Sequence, residues 1–184
     1  MSPARFVAPA PSSALGFGNR ADETEGAYVT PEELSDRAEI GDVLHRYFRG
    51  VDRRDWALVR GCFFDDAHND YAPFYQGGID DFMQFLADPA GFGLFDRTFH
   101  FSGNQLIDLD GDSAATEIYA MAQHTSAADA GNPSRNFLVV WLRYLDRFER
   151  RDGRWAIADR RIEVEWIRND VGGTWMSVPG QASP

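Results

Sequence analysis

Four long runs typical of β-strands fill most of the second half of the chain, at residues 98–109, 114–125, 137–150 and 154–167. Asp110-Gly111 separates the first two runs and Asp152-Gly153 separates the last two, and an Asp-Gly pair favours a tight hairpin turn. Strands joined by such turns pair antiparallel. The sequence therefore predicts a meander of long antiparallel strands.

Helical signals precede this meander. Thr30 and Glu33 form a capping-box pattern around Pro31, which predicts that a helix begins there. Two shorter helices are predicted at residues 55–59 and 79–86. Apolar residues recur near helical spacing in the first helix and predict its buried face, at Leu34, Ala38, Leu44, Phe48 and Val51.

A short strand at residues 67–71 and a break at Gly77-Gly78 complete the predicted elements. Helices followed by a strand meander are typical of an α+β protein. A curved sheet wrapped around a helix would leave a pocket between them. The chain has 184 residues, so we expect one domain, at residues 30–170, with tails at 1–29 and 171–184.

The composition of the chain indicates which kinds of molecule the protein could bind. The formal net charge of −11 argues against binding to nucleic acid, which needs a basic surface. Aromatic residues make up 14% of the chain and suit a cavity for a small hydrophobic or aromatic substrate, although a strand-rich core would also use them. The single cysteine, and the lack of an apolar run long enough for a signal peptide or a membrane span, predict a cytoplasmic protein without membrane contact.

Asp52, at the end of the first predicted helix, and His100, within the first long strand, are the main candidates for chemistry. A carboxylate that accepts a hydrogen bond from one ring nitrogen fixes the histidine tautomer, and the other nitrogen can then remove a proton from carbon without a cofactor. The plainer alternative is a solvent-facing carboxylate and a structural histidine. The two residues alone do not decide between these interpretations.

His124 is a second candidate. Strand alternation places it on the same face as Ala120 and Ala122, whose small side chains leave space for a ligand. A surface position at the strand end is the alternative. Asp52, His100 and His124 would also make a two-histidine, one-carboxylate metal set, but their spacing is not diagnostic. We predict neither a metal nor a cofactor.

Three stretches resemble the SnoaL-like group of the nuclear transport factor 2-like superfamily: AEI at 38–40, GVDRRDW at 50–56 and RYLDRFERRDGRW at 143–155. The resemblance extends over residues 32–168. It implies a cone-shaped α+β barrel, in which N-terminal helices pack in a curved, mostly antiparallel sheet around a ligand cavity. It also implies a homotrimer or a homodimer.

The resemblance assigns roles to particular residues. In scytalone dehydratases and hexachlorocyclohexane dehydrochlorinases, which are similar to this group, an aspartate after the first helix pairs with a strand histidine, and Asp52 and His100 match them. Active-site roles are likewise implied for His124 and Tyr71. Val51 matches the dehydrochlorinases, whereas scytalone dehydratases have a tyrosine there, and this departure weakens the case for activation of a substrate carbonyl through water.

Three further residues are candidates for substrate binding. Arg160 resembles a cavity arginine of some dehydrochlorinases, and a cross-strand ion pair with Asp146 is the plainer alternative. Tyr47 and Tyr119 are candidates for the cavity wall. Strict alternation places Tyr119 on the face opposite His124, so both can line one cavity only if a bulge intervenes.

The residues and the resemblance together predict a cofactor-independent lyase that abstracts a proton with a His-Asp dyad and acts on a small aromatic or cyclic substrate. The resemblance implies that the group eliminated is water, halide or formaldehyde. One alternative is an isomerase of the ketosteroid isomerase or polyketide cyclase kind. The other is a non-catalytic ligand-binding subunit, because a fold alone does not establish an activity.

Overall fold

The first helix begins where the sequence predicts. The computed structural model of the protein describes residues 29–126 and 135–173, and α1 spans Pro31–Arg53. The backbone N–H of Glu33 donates to the Thr30 hydroxyl at 3.1 Å, and the backbone N–H of Thr30 donates to the Glu33 carboxylate at 2.8 Å. This reciprocal pair satisfies two N–H groups that the first turn leaves without helical partners.

The buried face of α1 differs from the predicted one over the first two turns. Leu34 is 57% exposed and Ala38 is exposed, whereas Asp36 is buried. The Asp36 carboxylate accepts hydrogen bonds from the Trp155 indole at 2.9 Å and from Arg150 at 2.7 Å. A paired carboxylate can be buried, and here it begins a face that continues through Ile40, Leu44, Tyr47 and Val51.

The remaining elements follow in chain order: α2 Trp56–Arg60, β1 Phe63–Tyr71, β2 Tyr75–Gly78, α3 Ile79–Ala87, a 3-10 turn Phe92–Leu94, β3 Phe95–Asp110, β4 Ser113–Ser126, β5 Arg135–Arg151 and β6 Arg154–Gly173. Two predictions here were wrong. The first strand begins at Phe63 because the apolar residues before position 67 join it, and Gly77-Gly78 end β2 instead of breaking regular structure.

The six strands form one curled sheet in the order β2-β1-β6-β5-β4-β3. The predicted antiparallel meander is confirmed in β3, β4, β5 and β6. β1 adds to β6 in the parallel direction, and β2 pairs with β1 as an antiparallel edge. The sheet does not close, so β2 and β3 are its edges, and α1 packs against β3 and β6. The predicted α+β class and cone fold are confirmed.

The predicted tails fall mostly outside the described residues, although β6 continues through Gly173. Among the helices that the structure describes, none is long and apolar enough to cross a membrane.

A buried ion pair joins the last two strands at the centre of the sheet. Arg160 lies opposite Asp146 and donates two hydrogen bonds to its carboxylate, at 2.7 and 2.6 Å, and both side chains are fully buried. Burial alone would lower the pKa of Arg160, but the Asp146 carboxylate raises it well above its usual value. Burial raises the pKa of Asp146 while Arg160 lowers it, and the two-point contact favours the ionised pair.

Replacing one partner of this pair leaves an uncompensated buried charge. We therefore expect Arg160→Met to lower the free energy of unfolding by about 3–5 kcal/mol, measured by urea denaturation near pH 7. The double variant Asp146→Leu/Arg160→Met removes both charges and should recover most of this loss. A loss below about 1 kcal/mol in the single variant would contradict an ionised, buried pair.

Candidate active site

The structure brings Asp52 and His100 together. The Asp52 carboxylate lies 2.7 Å from His100 Nδ1 and accepts the backbone N–H of His100 at 2.9 Å. The hydroxyl of Thr98 donates a further hydrogen bond to the same carboxylate at 3.1 Å. The side chains of His100 and Asp52 are 4% and 16% exposed. Three donors on one strand therefore hold a largely desolvated carboxylate at the end of α1.

This arrangement fixes the histidine tautomer. An ionised carboxylate only accepts hydrogen bonds, so Nδ1 carries the hydrogen and Nε2 is left with a lone pair. The ring stacks on Phe48 with centroids 6.1 Å apart, which restricts its rotation. His100 has the geometry of a general base with an orienting partner.

His100 lines a cavity of about 290 Å³ between α1, α3 and the sheet. Most of the wall is aliphatic or aromatic. Phe74 and Leu94 line the cavity and are 50% and 59% exposed, so they mark its mouth. Polar atoms enter the cavity from two histidines and three tyrosines, His100, His124, Tyr47, Tyr71 and Tyr144.

His124 lies beside His100 in the same cavity. The two rings meet edge to face with centroids 5.7 Å apart, and the other side of His124 contacts Phe95 at 4.5 Å. Burial lowers the pKa of His124 to about 3, and the neighbouring His100 adds to this effect. The ring is therefore neutral near neutral pH. Its Nδ1 atom is buried and has no hydrogen-bond partner among the described residues.

Two tyrosines form the other polar part of the cavity. Their hydroxyl oxygens, on Tyr47 and Tyr71, lie 2.8 Å apart, and the Tyr71 ring stacks on Phe82 at 4.7 Å. Burial raises the pKa of both phenols, that of Tyr71 well above its usual value. Both therefore remain protonated. One hydroxyl donates to the other, so one of the two O–H groups is left to donate a hydrogen bond to a ligand oxygen.

Two residues predicted to bind substrate lie elsewhere. Arg160 is buried behind the tyrosines, with its guanidinium 4.1 Å from the Tyr47 ring centroid, and its ion pair with Asp146 is the alternative that the sequence left open. Tyr119 is 46% exposed on the outer face of the sheet. Its strand β4 pairs with β5 without a register shift, so no bulge turns Tyr119 towards His124.

A family model for the SnoaL-like domain matches residues 32–161, which is most of the chain. The chain belongs to the SnoaL-like domain family. Among relatives, the uncharacterized protein Rv2910c of Mycobacterium tuberculosis is 31% identical over 137 residues, 72% of this chain and 87% of that protein.

Solved structures share the fold of this SnoaL-like chain at low sequence identity. A hexachlorocyclohexane dehydrochlorinase, LinA type 2, matches with a TM-score of 0.70 at 20% identity, over 82% of this chain and 98% of that one. A putative scytalone dehydratase from Novosphingobium aromaticivorans matches with a TM-score of 0.64 at 19% identity, over 81% and 96%. These similarities establish the cone fold of the SnoaL-like domain.

Two residues of the site were not predicted. Thr98 holds Asp52 and could have been found, because it lies two residues before His100 and so on the same strand face. Arg54 has a left-handed backbone with φ of 58°, which no local pattern signals for an arginine. Its guanidinium donates to the Phe95 carbonyl at 2.7 Å and lies 4.9 Å from the centroid of the Phe92 ring, so it supports one wall of the cavity.

The metal alternative has no assembled site in the part of the chain that the structure describes. No group of three or more histidine, cysteine, aspartate or glutamate side chains there is arranged to hold an ion. His100 instead directs Nδ1 at Asp52 and lines the cavity.

The low pKa of His124 predicts a stability loss in acid. Its pKa is about 3 in the folded chain, against about 6.5 when unfolded, so below pH 6.5 the unfolded state binds a proton that the folded state does not. Between pH 7 and about pH 4.5 this costs about 2–3 kcal/mol of folding free energy. We expect the free energy of unfolding of His124→Gln to fall by about 2–3 kcal/mol less than that of the wild type over this pH range. Urea unfolding at both pH values measures the difference.

His68→Gln is the matched control, because the His68 side chain is 57% exposed. The control should follow the wild-type pH dependence. If His124→Gln does so too, His124 is not held neutral by burial.

Proposed function

We propose that the protein is a cofactor-independent lyase acting on a small cyclic substrate. His100, oriented by Asp52, removes a proton from carbon, and a leaving group departs from the neighbouring carbon. The observation that carries this proposal is the 2.7 Å contact between the two side chains, with the other face of the imidazole lining an apolar cavity. A positioned general base of this kind contributes roughly 10²–10⁴-fold to a rate.

The electron flow is that of a β-elimination. Nε2 of His100 bonds to the proton, the electron pair of the broken C–H bond becomes the new C=C bond, and the leaving group takes the electron pair of its own bond. The imidazolium that forms is stabilised by the Asp52 carboxylate. The desolvated surroundings strengthen this attraction compared with water.

The state of His124 restricts how the leaving group is assisted. With a pKa of about 3, its ring can accept or donate a hydrogen bond but is not an imidazolium acid near neutral pH. A halide leaves without a proton. A hydroxide leaving group needs a proton in order to leave as water. The His100 imidazolium can donate to it the proton that it has just removed from carbon. A phenol of the Tyr47–Tyr71 pair would donate a hydrogen bond to a substrate carbonyl while negative charge develops on it, and the pair's position in the cavity supports this role.

The cavity size favours a one-ring substrate. Its volume of about 290 Å³ lies at the lower end of the range for small-molecule sites, roughly 300–1,000 Å³. Loss of water or halide from a single ring is therefore favoured over release of formaldehyde from a two-aryl substrate. The names of two structural neighbours, a dehydrochlorinase and a putative dehydratase, describe reactions of this kind.

The isomerase alternative uses the same proton abstraction but loses no group, so the product distinguishes it. The non-catalytic alternative suits a cavity plugged by side chains. Here the cavity is open at Phe74 and Leu94, and it receives both histidines and the tyrosine pair. These contacts favour catalysis.

Replacing either member of the dyad should strongly slow elimination. We expect His100→Ala and Asp52→Asn each to lower kcat/KM by roughly 10²–10⁴-fold, and the double variant to lose little more, because the two residues act as a unit. The probes are chlorinated cyclohexanes, followed by chloride release, and cyclic β-hydroxy ketones, followed by the absorbance of the enone. No cofactor is added.

His68→Ala, an exposed strand histidine, is the control and should keep wild-type turnover. Circular dichroism checks that each variant folds. Normal turnover of a confirmed substrate by folded His100→Ala would refute the mechanism. A proton exchange product without loss of chloride or water would favour the isomerase.

The tyrosine pair should matter only when the substrate has a carbonyl. We expect Tyr71→Phe to lower kcat about tenfold on a β-hydroxy ketone, since one hydrogen bond to the developing enolate is lost. Turnover of a chlorinated cyclohexane, which has no such oxygen, should change less than about twofold. Equal losses on both substrates would instead indicate that Tyr71 only shapes the cavity.

A further inference from the structure

Three arginines line a second hollow on the other side of the dyad. We call this the arginine groove. Arg49 and Arg53 lie one turn apart on the exposed face of α1, and Arg97 faces them from β3. The groove has a volume of about 770 Å³, and Asp52 and His100 also line it. His100 therefore contacts the cavity on one side and the groove on the other.

These three guanidinium groups are unusual for this chain in being unpaired. None makes a hydrogen bond or an ion pair with any residue that the structure describes, and Arg97 Nε is buried without a partner. Apart from Arg46, every other arginine whose side chain is described is bonded, for example Arg143 to three glutamates. The chain has 29 acidic residues for 18 basic ones, so a shortage of carboxylates does not explain the three.

The lining of the groove leaves a net positive charge. Among the described residues that line it, Asp52 has the one carboxylate, which is already bonded to His100 and Thr98. Three positive charges and one negative charge leave two positive charges. A guanidinium donates paired N–H groups whose spacing fits two oxygens of a phosphate or a carboxylate.

We propose that the arginine groove binds a small anion with more than one negative charge, either a phosphate ester or a polycarboxylate. Phe99, which is 60% exposed and lines the same groove, adds a flat apolar surface for the uncharged part of such a ligand. The site is separate from the cavity and shares with it only the His100 ring. Binding there does not depend on the proposed lyase activity.

Calorimetric titration of the full chain with inorganic pyrophosphate, at low salt, tests the proposal. We expect saturable binding of one anion per chain that weakens as salt is raised. Arg53→Gln and Arg97→Gln should each weaken binding about tenfold, because each removes a charged hydrogen-bond donor. Arg46→Gln is the matched control. It removes one positive charge from another exposed position of α1, outside the groove, and should change the affinity less than about twofold.

Asp52→Asn separates this proposal from the lyase proposal. It removes the one negative charge of the groove, so it should tighten pyrophosphate binding about threefold even though it disables the dyad. A parallel titration with citrate shows whether phosphates or carboxylates are preferred. Thermal unfolding of each variant checks that it is folded.

Two results would overturn the proposal. One is the absence of saturable pyrophosphate or citrate binding to the wild type. The other is an equal loss of affinity in Arg46→Gln and in the groove variants, which would mean that the anion responds only to the overall charge.

Discussion

The Asp52 carboxylate connects the end of α1 to β3, and both the pocket and its chemistry depend on this connection. β3 is an edge of a sheet that does not close, so it has no further strand on its outer side. Asp52 accepts the backbone N–H of His100 there, as well as the ring of His100 and the hydroxyl of Thr98. One carboxylate thus satisfies an edge-strand donor, holds helix and sheet together over the cavity, and fixes the imidazole that faces the cavity.

Ionised groups support the neutral donors and acceptors on both sides of the cavity. Asp52 lies behind His100, where the proposed proton abstraction would develop positive charge. The ion pair of Arg160 and Asp146 lies behind Tyr47 and Tyr71, which line the cavity. None of these ionised groups lines the cavity itself. In the proposed reaction this arrangement would stabilise both signs of developing charge while the cavity wall remains mostly apolar.

Local signals were strong enough to predict much of this molecule. The capping box at Thr30 and Glu33, the Asp-Gly hairpins and the alternation of the long strands depend on residues close in sequence, and the structure has each of them. The structure also brings Tyr47, Tyr71, His100 and His124 to one cavity, as the resemblance and the strand faces implied. What they do there stays a prediction.

The features that the sequence did not predict depend on partners that are distant in sequence. Asp36 is buried because Arg150 and Trp155 reach it from more than a hundred residues away, and no pattern within α1 reveals them. The parallel pairing of β1 with β6 is equally remote. The sequence shows an arginine at position 160 but not whether its side chain faces a ligand or Asp146. The strand register determines which of the two it faces. The arginine groove is defined by three arginines that have no partner among the residues that the structure describes, and a sequence does not show which arginines are paired.

Arg54 connects entry of a ligand to the orientation of the base. It follows Asp52 by two residues, and its hydrogen bond to the Phe95 carbonyl ties the end of α1 to the wall segment that carries Phe92 and Phe95. Displacing that segment to widen the mouth breaks this bond at the helix terminus that also holds the dyad carboxylate. The mouth of the cavity and the alignment of the imidazole therefore depend on the same helix terminus. In the proposed mechanism, a chain loosened there for faster exchange would also hold its base less firmly.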